Sequence, residues 1–185
     1  MNDVTTPTSD APEALVSVVR EVEAHAARSG WDQPAQLFAL VETADLLQRE
    51  PQLAELLGVE AADGGLTPVE QEPVEGELEE LLAEIQWPGE VSGCAAVVER
   101  LVLPPEADEG IPDDPEEAAT YAANHPGRQE VRIVAGALRS GEGFCALRMR
   151  AHDDDASVVL GDDLVPALLE LLHATLEPDR GQQKT

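Results

Sequence analysis

The sequence predicts an α+β protein: N-terminal helices, then an antiparallel sheet of about four to five strands with helices packed on one face. Three observations carry this. Apolar residues recur at helical spacing near both ends, at Leu15, Val18, Val19, Val22 and Ala26, and again at Leu164, Leu168, Leu171 and Leu172. Between them lie segments rich in Val and Ala, separated by Gly, Pro and Ser, the punctuation of strands and turns. Residues 128–139 and 144–150 flank Ser140-Gly141-Glu142 and make the clearest hairpin of the chain.

Residues 1–9 read as a flexible tail. An N-terminal helical part follows over 10–58. Asp10 and Glu13 form a capping pair that opens a helix through about Arg28, stopped by Ser29-Gly30. Asp32 caps a second helix with Leu37, Leu40, Val41, Ala44 and Leu47 as its buried stripe, ended at Glu50-Pro51. A short helix over 52–57 closes at Gly58. Residues 59–76, punctuated by Gly64-Gly65, Pro68, Pro73 and Gly76, read as an acidic linker.

The α+β domain is expected over 77–177. It begins with an acidic helix at 77–83 and a short strand at 84–87 that turns at Pro88-Gly89. Gly93 to Leu103 is a strand ended by Pro104-Pro105. Pro115 sits in the first turn of a helix through Asn124, with Asp113 or Asp114 as cap. After the hairpin, 157–160 adds an edge strand. The last helix runs from Asp163 to Leu176, and 178–185 read as a second flexible tail.

The hairpin alternation gives its two faces. Val131, Ile133, Ala135 and Ala137 share the core face with Cys145, Leu147 and Met149. The opposite face carries Arg132, Val134, Leu138, Phe144, Arg148 and Arg150. Read as exposed, that face is a partner surface formed by Arg132, Leu138, Phe144, Arg148 and Arg150, because guanidinium forks match carboxylates. The other reading is that these arginines pair with the protein's own acids.

Composition excludes several roles. The chain of 185 residues carries 38 acidic and 11 basic side chains, a net charge of -27. Such a charge opposes binding to phosphate backbones and to anionic membranes. No stretch approaches the ~18–20 apolar residues of a membrane helix. No basic and apolar leader opens the sequence, and two cysteines are too few for a disulfide scaffold, so a cytoplasmic location is expected.

Catalytic patterns are absent from the sequence. His25, His125, His152 and His173 form no metal-ligand spacing, and the run His152 to Asp155 lacks the distal Glu of a calcium loop. Cys145 falls on the apolar face, where a thiol is inert. No nucleophile elbow, dinucleotide loop or phosphate-loop lysine occurs. No catalytic residue, metal ligand or cofactor is therefore assigned.

The segments Ile85-Gln86-Trp87-Pro88, Leu103-Pro104-Pro105, Tyr121 to Pro126, Arg139-Ser140-Gly141, Cys145 to Arg150 and Gly161 to Pro166 resemble a family of conserved uncharacterised actinobacterial proteins over most of 11–177. That resemblance implies no activity. The expected element order is also similar to the secretion-chaperone-like fold, whose members are small, acidic binders of partner segments. The expectation is a non-catalytic protein-binding, adaptor or chaperone-like module with a basic protein partner, and with the acidic helix 77–83 as a second patch. Two alternatives stand beside it. One is a small hydrolase or metal-assisted enzyme using His125 or His152. The other is a homodimer joined at the sheet edge near Val158-Val159.

Overall fold

The computed structural model describes residues 12–52, 65–162 and 164–177. The two expected tails, most of the expected helix at 52–57, the cap Asp10, the expected first residue Asp163 of the last helix and residues 59–64 of the expected linker lie outside the described residues. The elements run α1 (Glu13–Ser29), β1 (Gln36–Glu42), α2 (Thr43–Arg49), β2 (Leu66–Glu70), α3 (Leu78–Glu84), β3 (Gly93–Val102), α4 (Pro115–Asn124), β4 (Gln129–Leu138), β5 (Gly143–Met149), β6 (Val159–Gly161) and α5 (Pro166–Leu176). The class is α+β. The strands form one six-stranded antiparallel sheet in the order β2-β1-β3-β4-β5-β6.

The expected second helix is replaced by β1 and the short α2. Leu37 to Val41 is an unbroken apolar run, which suits a buried helix or a strand covered on both faces. The structure realises the strand. Leu37 packs into one core cluster and Phe38 and Leu40 into the other. Residues 66–70 of the expected linker are also strand. Pro68 is tolerated there because β2 lies at the sheet edge, where no neighbour needs its missing N–H. Strands from both the N-terminal segment and the linker thus join the same sheet as β3. The expected strand at 84–87 does not form: Glu84 ends α3, and Trp87 packs against the core while its amide donates to the Thr175 carbonyl at the end of α5.

Helices cover both faces of the sheet. On one, Leu78 and Leu82 of α3 and Leu168, Leu169, Leu172 and Leu176 of α5 bury Cys94, Ala96, Val98, Val131, Ile133, Ala135, Ala137 and Cys145. On the other, α1 lays Leu15, Val18, Val19, Val22 and Ala26 over Phe38, Leu40, Ala95, Val97, Val134, Phe144 and Ala146. Each fully buried Leu or Val of α1 contributes about 1.5–3 kcal/mol. The crossing needs Gly136. A Cβ there would stand 2.7 Å from Val19 Cγ2 and 3.1 Å from Leu15 Cδ1.

The hairpin faces are as the alternation requires. Val131 pairs with Met149 and Ala137 with Gly143, a register two residues from that of a three-residue loop. A shift of two keeps every side chain on its face, because the strand period is two. Gly141 closes the turn at φ 108°.

Candidate functional site

The arginine face is sealed. Arg132 is 1% exposed, Arg148 3% and Phe144 4%, all beneath or beside α1, while Leu138 is half-buried against the same cluster. These residues are not the open partner surface that the alternation suggested. The apolar stripe of α1, expected in a separate N-terminal part, is what covers this face.

Arg148 is the hub. Its Nε donates to Glu23 Oε1 at 2.5 Å and its Nη2 to Glu23 Oε2 at 3.2 Å, a bidentate pair between β5 and α1. Its Nη1 also donates to Asp153 at 3.0 Å and its Nη2 to Asp155 at 2.6 Å. The Asp-rich turn after β5 is therefore the counter-charge of a buried arginine. The Glu23 carboxylate, then Asp155 and Asp153, raise the Arg148 pKa. Asp153 is held below its usual range, first by the N–H of Trp31, which donates to it at 3.0 Å, and then by Arg148.

Arg132 lies opposite Arg148 across the ladder. Two like charges there are unfavourable, and the surroundings offset them. The Arg132 guanidinium lies 4.4 Å from the centre of the Trp31 ring and donates from Nη2 to the Gly30 carbonyl at the end of α1. Its Nη1 has no hydrogen-bond partner among the described residues. Arg132 also borders a cavity of about 10 Å³ lined in addition by Ala26, Ser29, Gln33, Gln36 and Glu99, room for about one water.

Arg150, half-exposed at the end of β5, forks onto Asp32 at 3.0 and 3.1 Å and reaches Glu130 at 2.9 Å. Asp32 takes a left-handed φ of 63°. Glu99 accepts the backbone N–H groups of Asp32 and Gln33 at 2.8 and 2.7 Å. Residues 30–33 are thus laced over the end of the sheet by Arg132, Arg150 and Glu99.

Four further arginines are bonded within the protein. Arg139 donates to the carbonyls of Val91, Pro88 and Leu176, fixing the end of α5. Arg100 bonds Glu79, Arg49 pairs with Glu90 at 3.2 Å, and Arg128 donates to the His125 carbonyl at 3.1 Å.

Between β3 and β4 the chain makes a long excursion, 103–128. A 3₁₀ turn at Pro105–Gly110 leads to α4. Asp114 caps α4, its carboxylate accepting from the Glu116 amide at 3.3 Å, and Pro115 occupies the first turn. No residue of α4 is buried. The Tyr121 hydroxyl donates to the Ala107 carbonyl at 3.4 Å, and the Tyr121 ring meets the His125 ring edge-on at 5.6 Å. Asp114, Glu116, Glu117, Thr120 and Tyr121 line a shallow open concavity on this helix. Among the described residues no cation lies within ion-pairing distance of Glu109, Asp113, Asp114, Glu116 or Glu117.

The histidines meet no reactive partner. His125 Nδ1 accepts the Gly127 amide at 2.9 Å, and His152 is exposed. The buried carboxylate among the described residues is Glu23, and it is bonded to Arg148. Among the described residues no three His, Cys, Asp or Glu side chains converge as a metal site. Burial pushes the Cys94 thiol up to about 11, and its sulfur lies near Thr175 Oγ1 at 3.6 Å. No helix among the described residues is long and apolar enough to cross a membrane.

A family model described as PPA1309-like protein matches residues 15–177. The chain belongs to the PPA1309-like protein family. The match takes in both faces of the sheet, the arginine hub and the acidic excursion. Comparison with curated proteins and with solved structures finds no match.

Proposed function

We propose that the protein is a non-catalytic binding module of the cytoplasm that takes a basic segment of a partner protein onto its acidic surface. The disposition of charge carries this reading. The arginines of the sheet and its ends are bonded to the protein's own carboxylates and carbonyls, while Glu109, Asp113, Asp114, Glu116 and Glu117 of the excursion are exposed and have no ion-pair partner among the described residues. A surface of one sign attracts partners of the other and repels nucleic acid and anionic lipid.

Purification from the native host at low and at high salt tests this. One basic protein should be retained at about 50 mM salt and released at about 500 mM, because exposed charges are screened over a few ångströms at the higher strength. Retention indifferent to salt, or a partner that is acidic, refutes it.

The edge strand β6 favours a second reading. Val159 is 48% and Leu160 42% exposed on a strand whose outer edge has no neighbour among the described residues. A second copy adding its own β6 antiparallel would cover both. Light scattering decides it: a monomer mass excludes this reading.

A further inference from the structure

β3 and β4 are antiparallel neighbours in the sheet, and a few residues suffice to join such strands. This chain instead spends residues 103–128 on the connection, and its helix α4 buries no side chain. A helix of this length is marginal in water on its own. It is held by its Asp114 cap, by Pro115 and by the Tyr121 hydroxyl on Ala107, contacts that shape the excursion without adding to either core cluster. From Leu101 to Asn124 the sequence has seven acidic residues and no basic one. Leu101, Val102 and Ile111 at its base are exposed.

We infer that α4 and the turn before it form the docking surface for an arginine-bearing segment of a partner protein. This rests on the binding reading above and locates it. Charge complementarity selects a cationic occupant, because Asp114, Glu116 and Glu117 rim the concavity and pair with no cation among the described residues. Tyr121 selects arginine over lysine. It lines the same concavity, and a guanidinium both forks onto carboxylates and stacks on an aromatic ring, which an ammonium does less well.

Tyr121 is the single tyrosine of the chain, so 3-fluorotyrosine places one ¹⁹F signal in the concavity. The probe is an alternating alanine–arginine peptide, titrated at about 50 mM salt with calorimetry in parallel. The signal should shift saturably. E116K with E117K should weaken binding roughly tenfold. E80K with E84K, exposed on α3 and equal in net charge change, should alter it by less than about twofold. An alanine–lysine peptide should bind several-fold more weakly. All the substituted side chains are exposed, and circular dichroism checks that each variant is folded. Binding by calorimetry with a motionless ¹⁹F signal, or equal loss in both variants, overturns the α4 site and leaves the broader reading standing. Equal affinity for the lysine peptide overturns the arginine preference. No binding of either peptide at low salt overturns both readings.

Discussion

Glu23→Ala should destabilise the fold by about 2–4 kcal/mol. Glu23 and Arg148 are both almost wholly removed from water, and the change deletes both arms of their bidentate pair. Breaking a buried ion pair by removing one partner costs about 3–5 kcal/mol, because a charge is left uncompensated. The cost here falls toward the lower end, since Arg148 keeps Asp153 and Asp155, whose side chains are 44% and 95% exposed. For a chain of this length each kcal/mol lowers the melting temperature by about 2–4 °C, so a drop of about 4–16 °C is expected. Urea unfolding followed by circular dichroism gives the free energy, and a slope unchanged from wild type confirms that stability alone has moved. The double variant E23L/R148M separates charge from packing. It removes both buried charges and should lie within about 1 kcal/mol of wild type. A single-variant loss below about 0.5 kcal/mol, or a double variant worse than Glu23→Ala, would refute the hub.

Three further outcomes follow from the same geometry. The folded-state pKa of Asp153 is depressed, so its contribution is present above its unfolded value of about 3.8 and is lost as pH falls through the folded value; Asp153→Asn should flatten the fall of the urea midpoint below about pH 4, and an unchanged slope would contradict this. Gly136→Ala should cost about 1–3 kcal/mol, since the new methyl meets Val19 and Leu15 under α1; thermal melts that match wild type would show that α1 does not cross there. Cys94 and Cys145 are fully buried, and Cys94 titrates near 11; a thiol reagent at pH 8 should label them only on unfolding, and fast labelling of folded protein would contradict the packing.

Much of the fold is legible along the chain where one pattern dominates. The α1 stripe, the hairpin faces and the Asp114–Pro115 start of α4 follow from spacing and cap chemistry alone. The run Leu37 to Val41 does not, because five successive apolar residues fit helix and strand equally. Pro68 hid β2, since a proline argues against a strand until its edge position is known. The arginine face shows the deeper limit. Alternation placed Arg132, Phe144 and Arg148 together correctly, but no local pattern says which distant helix covers them. A signal was present in Glu23, a charged residue one step along the buried stripe of α1, whose neighbours Val22 and Ala26 face the sheet. The Asp153 to Asp155 turn was visible as acidic, yet its role as counter-charge to Arg148 needed the return of the chain beside α1.

Amide hydrogen exchange with and without the alanine–arginine peptide tests the central claim most directly. In the free protein the amides of β4 and β5 beneath α1 should exchange slowly and those of α4 quickly. On binding, protection should rise across 115–124 while β4 and β5 stay as they were. Protection gained on β4, β5 or α1, with α4 unchanged, would contradict the account.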